Sequence, residues 1–239
     1  MGRTMSEQEQ RLSENLAGVR GRIAEACRRS AREAGSVRLV AVTKSVDIES
    51  ARMLAELGQK DLGENRVQEL ARKEEALRGT GIRWHMIGHL QTNKVKKALA
   101  ATRFIHSVDS VRLAAEVSRH AGEMGIEPEI LLEVNVSGEE AKSGLRASEA
   151  AETAGEIGRL ANLRLVGLMT MAPIAENPEE TRPVFAGLRE LARKIGGMKL
   201  PGVEMRELSM GMSQDYEVAV EEGATLVRVG SALFEGVGR

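Results

Sequence analysis

Eight short apolar segments alternate with amphipathic ones along this chain, and that alternation restricts its fold more than any other property. The strand-like segments are residues 39–43, 60–63, 83–87, 103–107, 129–136, 164–169, 204–209 and 225–229. Helical spacing of apolar residues occupies 48–57, 67–77, 93–100, 111–124, 148–160, 178–195 and 216–221. Runs such as Ile130-Leu131-Leu132-Glu133-Val134 alternate poorly between apolar and polar, as strands covered on both faces do. Each strand leads into a helix or a helix-opening signal, so the expected class is α/β with a parallel sheet. Eight such units predict a closed (β/α)8 barrel of TIM type. A doubly wound open sheet is the alternative, but no G-x-G-x-x-G follows the first strand. The spacing shows no composition break, so residues 1–239 are expected to form one domain.

Residues 1–35 predict an extra N-terminal helix packed on the barrel. Ser6 and Glu9 have capping-box spacing, and Leu12, Leu16, Val19, Ile23 and Ala26 share a stripe. Gly18 and Gly21 weaken it locally, and Gly35 is expected to end it.

Composition excludes several classes of function. The 239 residues are 42% hydrophobic and 29% charged, typical of a globular chain, and the formal charge of −1 offers no basic surface for nucleic acid or anionic membrane. Aromatic residues make up 2%, too few to stack a series of bases. Cys27 is the only cysteine, so no internal disulfide forms and a reducing compartment is expected. No apolar run approaches the ~18–20 residues of a bilayer span, and the polar N-terminus lacks a signal-peptide core. The expected location is the cytoplasm.

In a barrel of this kind the chemistry sits at the C-terminal ends of the strands. The first strand ends in Lys44. Burial there would disfavour the ammonium and leave an amine able to attack an aldehyde. A plain solvated lysine is the alternative. Asp47 reads as a helix N-cap. The seventh and eighth strands end in Ser209-Met210-Gly211-Met212-Ser213 and Arg228-Val229-Gly230-Ser231, the positions where barrels frequently bind phosphate. Residues 228–234 are expected to run from strand into a short helix whose first amides, those of Gly230 and Ser231, face an anion. Ser213 is expected to add a hydroxyl donor. Each segment alone could equally be a glycine turn with an N-cap. An amine nucleophile with a phosphate cradle suggests an aldehyde that carries a phosphate, of which pyridoxal 5′-phosphate is the common cofactor. Strand alternation puts Leu226 and Arg228 on the inner face, where Arg228 would meet either a ring nitrogen or a carboxylate such as Glu133. The four histidines make a poor metal site: His85 and His89 share no helical face, His106 and His120 are isolated, and a structural or supporting role is expected of them.

Seven segments occur in the order of one family's motifs. They are Ala41-Val42-Thr43-Lys44, Gly63-Glu64-Asn65-Arg66-Val67-Gln68-Glu69, residues 84–94 (WHMIGHLQTNK), Lys142-Ser143-Gly144, Gly167-Leu168-Met169-Thr170-Met171, residues 208–215 (LSMGMSQD) and residues 227–234 (VRVGSALF). The chain resembles the pyridoxal phosphate homeostasis proteins from about residue 37 to its end. That resemblance implies a barrel like the N-terminal domain of alanine racemase. It also implies pyridoxal phosphate held as an internal aldimine on Lys44, phosphate contacts at Ser213, Gly230 and Ser231, Arg228 at the ring nitrogen, and Asn65 near the cofactor. Tyr216 replaces an expected apolar residue and Ser231 a common threonine, both compatible with those roles.

The resemblance further implies a binding protein without catalytic residues, which holds the cofactor and passes it to apo forms of pyridoxal phosphate enzymes. A racemase or decarboxylase is the first alternative. Racemases of this barrel type add a β-domain carrying a catalytic tyrosine, whereas this chain ends about ten residues after the eighth strand. A Schiff-base aldolase without cofactor is the second, since Lys44 and a phosphate cradle would serve it too. Monomer and weak homodimer both remain open.

Overall fold

The computed structural model describes residues 5–139 and 143–237. Its first helix, α1 (Glu7–Arg29), opens at Ser6, whose side chain accepts from the Glu9 amide at 3.2 Å. The expected stripe is buried, with Cys27 beside it. The helix ends earlier than its sequence suggested. The Ser30 hydroxyl donates to the Ala26 carbonyl at 2.8 Å, and Ala31 then enters the left-handed region at φ 55°. Gly35 lies instead in a short 3-10 turn, Ala34–Ser36. A serine hydroxyl thus terminates the helix in place of the glycine. Residues 1–4, and Lys142 of the fourth motif, lie outside the described residues.

Five strands come first: β1 (Arg38–Val42), β2 (Asp61–Glu64), β3 (Arg83–Met86), β4 (Phe104–Val108) and β5 (Glu129–Asn135). A two-residue strand, β6 (Leu145–Arg146), pairs with the end of β5. The sheet is completed by β7 (Arg164–Met169), β8 (Val203–Ser209) and β9 (Leu226–Val229). The hydrogen-bonded order is β4-β3-β2-β1-β9-β8-β7-β5, and β4 also pairs with β5, which closes the ring. The closed eight-strand parallel barrel is therefore the fold. β6 was not expected, because two residues carry no periodicity.

The connections are helical: α2 (Ile48–Glu56), α3 (Val67–Ala76), α4 (Val95–Ala101), α5 (Val111–Met124), α6 (Ala150–Ile157), α7 (Arg182–Gly197) and α8 (Tyr216–Glu221). After β9 the described residues form turns, not the short helix expected there. The vacant place in the outer ring is taken by α1, which packs chiefly on α8 and also on α2. Asn15 fixes it by donating from Nδ2 to the Leu233 and Glu235 carbonyls at 3.0 and 2.8 Å. Arg29 adds ion pairs to Glu217 and Glu221 on α8. The start of the chain thus supplies the eighth helix.

Most of the apolar core lies between strands and helices. Inside the barrel a small cluster of Val40, Phe104, Leu131, Val166, Met169 and Leu226 fills the centre. With so few aromatic residues to fill it, the interior also carries buried polar side chains, among them His85, His106, Ser209 and Arg228. Each of these is hydrogen-bonded, as burial requires.

Candidate functional site

A cavity of about 600 Å³ opens at the C-terminal ends of the strands, within the usual size range of small-molecule sites. Lys44, Asn65, Ser213, Arg228, Gly230 and Ser231 all line it. They come from the ends of β1, β2, β8 and β9, so barrel closure alone brings together residues up to 187 positions apart (231 − 44).

Lys44 continues the series Arg38, Val40, Val42 two residues past β1, which turns it toward the mouth. The strand exit below it is held from two sides. Thr43 donates its amide to the Gly63 carbonyl at 3.0 Å, and its own carbonyl accepts from Lys73 Nζ at 2.6 Å. Lys73 also pairs with Glu64 at 2.7 Å, and both side chains are buried. The burial expected of Lys44 itself is corrected: it is exposed, because the wide mouth leaves its amine open to water. Desolvation at this position must therefore come from whatever enters the cavity.

The expected phosphate segments meet at the cavity. Ser213 Oγ accepts from the amides of Gly230 at 3.2 Å and Ala232 at 3.4 Å. Because the segment after β9 is a turn, no helix dipole contributes there. The cradle consists of converging amides and a hydroxyl, and the amides point at an oxygen. Gly211, at φ 90°, makes the bend that delivers Ser213, and a Cβ there would sit 2.5 Å from that of Ala219. The Met212 amide donates to Asp215 Oδ1 at 2.6 Å, which fixes the loop between them. Across the mouth, Gly88 lets the segment after β3 approach Asn65 closely, since a Cβ would lie 2.4 Å from its carbonyl.

Arg228 is buried at the bottom of the cavity. Nη1 donates to Ser209 Oγ at 2.5 Å and Nη2 to the Thr170 carbonyl at 2.9 Å. Burial draws the guanidinium down to about 10, with Glu133 and Asp215 opposing, so it remains a cation at neutral pH. The alternative of a direct ion pair with Glu133 gives way to bonds with a hydroxyl and a carbonyl.

Glu133 was named in sequence only as a partner for that arginine, yet it lines the cavity as a buried carboxyl. Its place as the second inward residue from Leu131 was the available signal. Burial, and then repulsion by Asp109, push it up to about 7, with Arg228 acting against them. In the unfolded chain the same group ionises near 4.5. Stability is therefore full below that value and falls as pH rises toward 7, by about 3 kcal/mol in all. Glu133→Gln removes this loss, so the variant should gain on wild type by about that amount between about pH 5 and about pH 8 in urea unfolding. A difference that stays constant across this range would show that Glu133 is ionised throughout.

Of the histidine reading, only the isolation of His106 needs correction. His106 does not stand apart: β3 pairs with β4, and His85 Nδ1 lies 2.9 Å from His106 Nε2 in the barrel interior. Twenty-one residues of sequence separate them, and only strand register joins them. His120 lies on α5 near Glu116 and Glu123, away from the cavity.

Comparison with known proteins agrees with this fold. The family model described as "Alanine racemase, N-terminal domain" matches residues 19–236. A pyridoxal phosphate homeostasis protein of Aquifex aeolicus is 44% identical, over 92% of this chain and 96% of its own. The crystal structure of an unknown protein from Bifidobacterium adolescentis superposes with TM-score 0.91 at 39% identity, covering 98% of both chains. PipY of Synechococcus elongatus, solved with pyridoxal phosphate bound, superposes with TM-score 0.82 at 36% identity, over 93% of this chain and 99% of that one. The chain thus belongs to the pyridoxal phosphate homeostasis protein family, built on the alanine racemase N-terminal barrel.

Proposed function

We propose that this protein holds pyridoxal 5′-phosphate through Lys44 and yields it to apo forms of pyridoxal phosphate enzymes, without turning over a substrate of its own. The observation that carries the reading is the meeting, in one cavity, of an open lysine amine, an amide-and-hydroxyl cradle and a buried arginine. When bound, the cofactor supplies an aldehyde that a lysine amine captures reversibly. Lys44 offers the amine. Ser213, Gly230 and Ser231 would hold the phosphate, with Asn65 at the opposite wall. Arg228 is an obligate donor, so it would keep the ring nitrogen unprotonated and the ring a weak electron sink. A weak sink favours holding the cofactor over carbanion chemistry. The relatives' names and the cofactor bound to PipY support the same reading.

One observation favours a second reading, slow proton transfer on a bound amino acid: Glu133 titrates near neutrality in the same cavity. Tyr216, the only tyrosine, is buried at the start of α8 and does not line it. Among the described residues no helix is long and apolar enough to cross a membrane.

The two readings separate in one set of experiments. Loaded protein mixed with an apo-enzyme should restore its activity, while amino acids incubated with loaded protein in heavy water should return without deuterium at Cα. Label entering at a rate that falls in Glu133→Gln would move the protein to the enzymes. Ser213→Ala should weaken retention of pyridoxal phosphate by about tenfold, as loss of one bond to a charged group does, and leave pyridoxal nearly unaffected. Equal losses for both would take the phosphate away from Ser213.

A further inference from the structure

Arg228 is the first member of a chain of buried hydrogen bonds that crosses the barrel. Ser209 Oγ lies 2.5 Å from Arg228 Nη1 and 2.8 Å from His106 Nδ1. His106 Nε2 lies 2.9 Å from His85 Nδ1, and His85 Nε2 lies 3.1 Å from Asp61 Oδ1. Asp61 closes the chain by accepting from Arg83 Nε at 2.8 Å and Nη2 at 2.5 Å. His85, His106 and Ser209 are each no more than 1% exposed. Asp61 and His85 line a second cavity, of about 560 Å³, at the opposite end of the barrel.

With both rings uncharged, the carboxylate at one end fixes the direction of every bond between the two ends. An arginine only donates and a carboxylate only accepts. Ser209 therefore accepts from Arg228, and because Asp61 must take the His85 Nε2 proton and each uncharged ring carries one N–H, the serine's own proton goes to His106 Nδ1. His106 then carries its proton on Nε2 and donates it to His85 Nδ1. His85 in turn carries its proton on Nε2 and donates to Asp61. Uncharged rings satisfy the whole sequence without a donor facing a donor.

The surroundings keep both rings uncharged. His85 faces Asp61, Arg83 and Arg38, and burial lowers it below the ordinary histidine value, with Asp61 opposing and the two arginines adding to the shift. His106 faces His85, Arg228 and Arg38, and burial followed by those neighbours lowers it further. The Phe104 ring packs against both, with centroids 5.0 and 4.9 Å away. Asp61 is held below the usual carboxylate range: its burial is outweighed by the bonds from His85 and Arg83.

We propose that Asp61, His85 and His106 are positioning residues for Arg228, acting through Ser209 as a one-directional chain that holds the serine hydrogen on His106 and so fixes how the serine oxygen meets the guanidinium. With that oxygen and the Thr170 carbonyl each taking an N–H, the guanidinium plane is set from behind, and its remaining donors are aimed at the cavity. An extra proton at His85 would reverse the sequence. Both its nitrogens would then donate, His106 would accept at Nε2 and carry its proton on Nδ1, and Ser209 would have to turn its hydrogen elsewhere. The far end of the barrel is thereby coupled to the cavity. This rests on the reading that Arg228 faces the ring of bound pyridoxal phosphate.

Two measurements test the chain, one with cofactor and one without. In ligand-free protein, long-range ¹⁵N–¹H correlation spectra at neutral pH should show His85 and His106 both protonated on Nε2 alone. A proton on Nδ1 of either ring, or an imidazolium, overturns the proposed direction whatever the protein binds. With pyridoxal phosphate added, His106→Leu should move the visible band and weaken retention by about tenfold, the size of one charge-assisted bond. His106→Asn places an amide oxygen where Nδ1 accepts from Ser209, and it should restore most of both. Should His106→Leu fail to fold, Ser209→Ala breaks the same link with a smaller change of volume and should give the same spectral shift. Variants that change thermal stability but leave the band and retention as in wild type would reduce these residues to packing. Wild-type protein that takes up no cofactor would defeat the functional reading while leaving the tautomer result to stand or fall alone.

Discussion

Lys44→Ala protein mixed with pyridoxal phosphate should develop no visible band that borohydride bleaches, and no pyridoxyl mass should be fixed on the chain. Wild type should show both, with the mass on the peptide carrying Lys44. No other lysine lines the cavity among the described residues. The nearest alternative by connectivity, Lys73, is 1% exposed and bonded to Glu64 and the Thr43 carbonyl, so its amine has no free approach. Removing Lys44 leaves the cradle and Arg228, which hold charge but form no bond to an aldehyde. Affinity should fall by about 100-fold, or about 2.7 kcal/mol. Lys44→Arg keeps the charge and loses capture equally, which separates nucleophile from counter-ion. A band that survives in both variants would place the capturing amine elsewhere and leave the aldolase alternative without its lysine as well.

The largest expected loss of stability belongs to a neighbour of that lysine. Lys73→Met leaves the Glu64 carboxylate buried with the Thr43 hydroxyl, at 2.6 Å, as its remaining partner on Oε1. Its other oxygen, Oε2, is already buried without a hydrogen-bond partner among the described residues. Breaking a buried pair by removing one member costs about 3–5 kcal/mol, a large share of the 5–15 kcal/mol that typically separates folded from unfolded. The double variant Lys73→Met with Glu64→Leu removes both charges and should recover most of that loss, because the cost lies in the stranded charge. Urea unfolding of the single and double variants decides it. A single variant within about 1 kcal/mol of wild type would mean that Glu64 takes up a proton or water in place of the lysine. The same substitution frees the Thr43 carbonyl, so cofactor capture at the adjacent Lys44 should slow even where the protein stays folded.

The barrel was legible because its signal is local and repeated. Periodicity of apolar residues placed all eight barrel strands within a few positions, and Ser6 and Asp47 read correctly as caps since a cap is a contact between residues three apart. The elements that departed from the reading were those decided by competition between neighbours. Gly35 was available to end α1, but Ser30 reached the free carbonyls first. The glycine-serine turn after β9 resembled a helix start, but α1 already fills the space such a helix would need. Motif order likewise brought six residues to one cavity, as residue types at strand ends can do when the strands must close.

What the sequence by itself determined is the closed parallel barrel and the identity of the residues at its mouth, since both follow from strand count, alternation and strand ends. What only the tertiary structure decided is the state of those residues. Lys44 is open because of the width of the mouth, Ser213 accepts because two amides converge on it, and Glu133 titrates high because the barrel excludes water around it. His85, His106, Ser209 and Arg228 form one chain because register brings inward positions of β3, β4, β8 and β9 within hydrogen-bonding distance. Burial, direction of donation and distance across a sheet are properties of pairs far apart in sequence, and no local pattern encodes them.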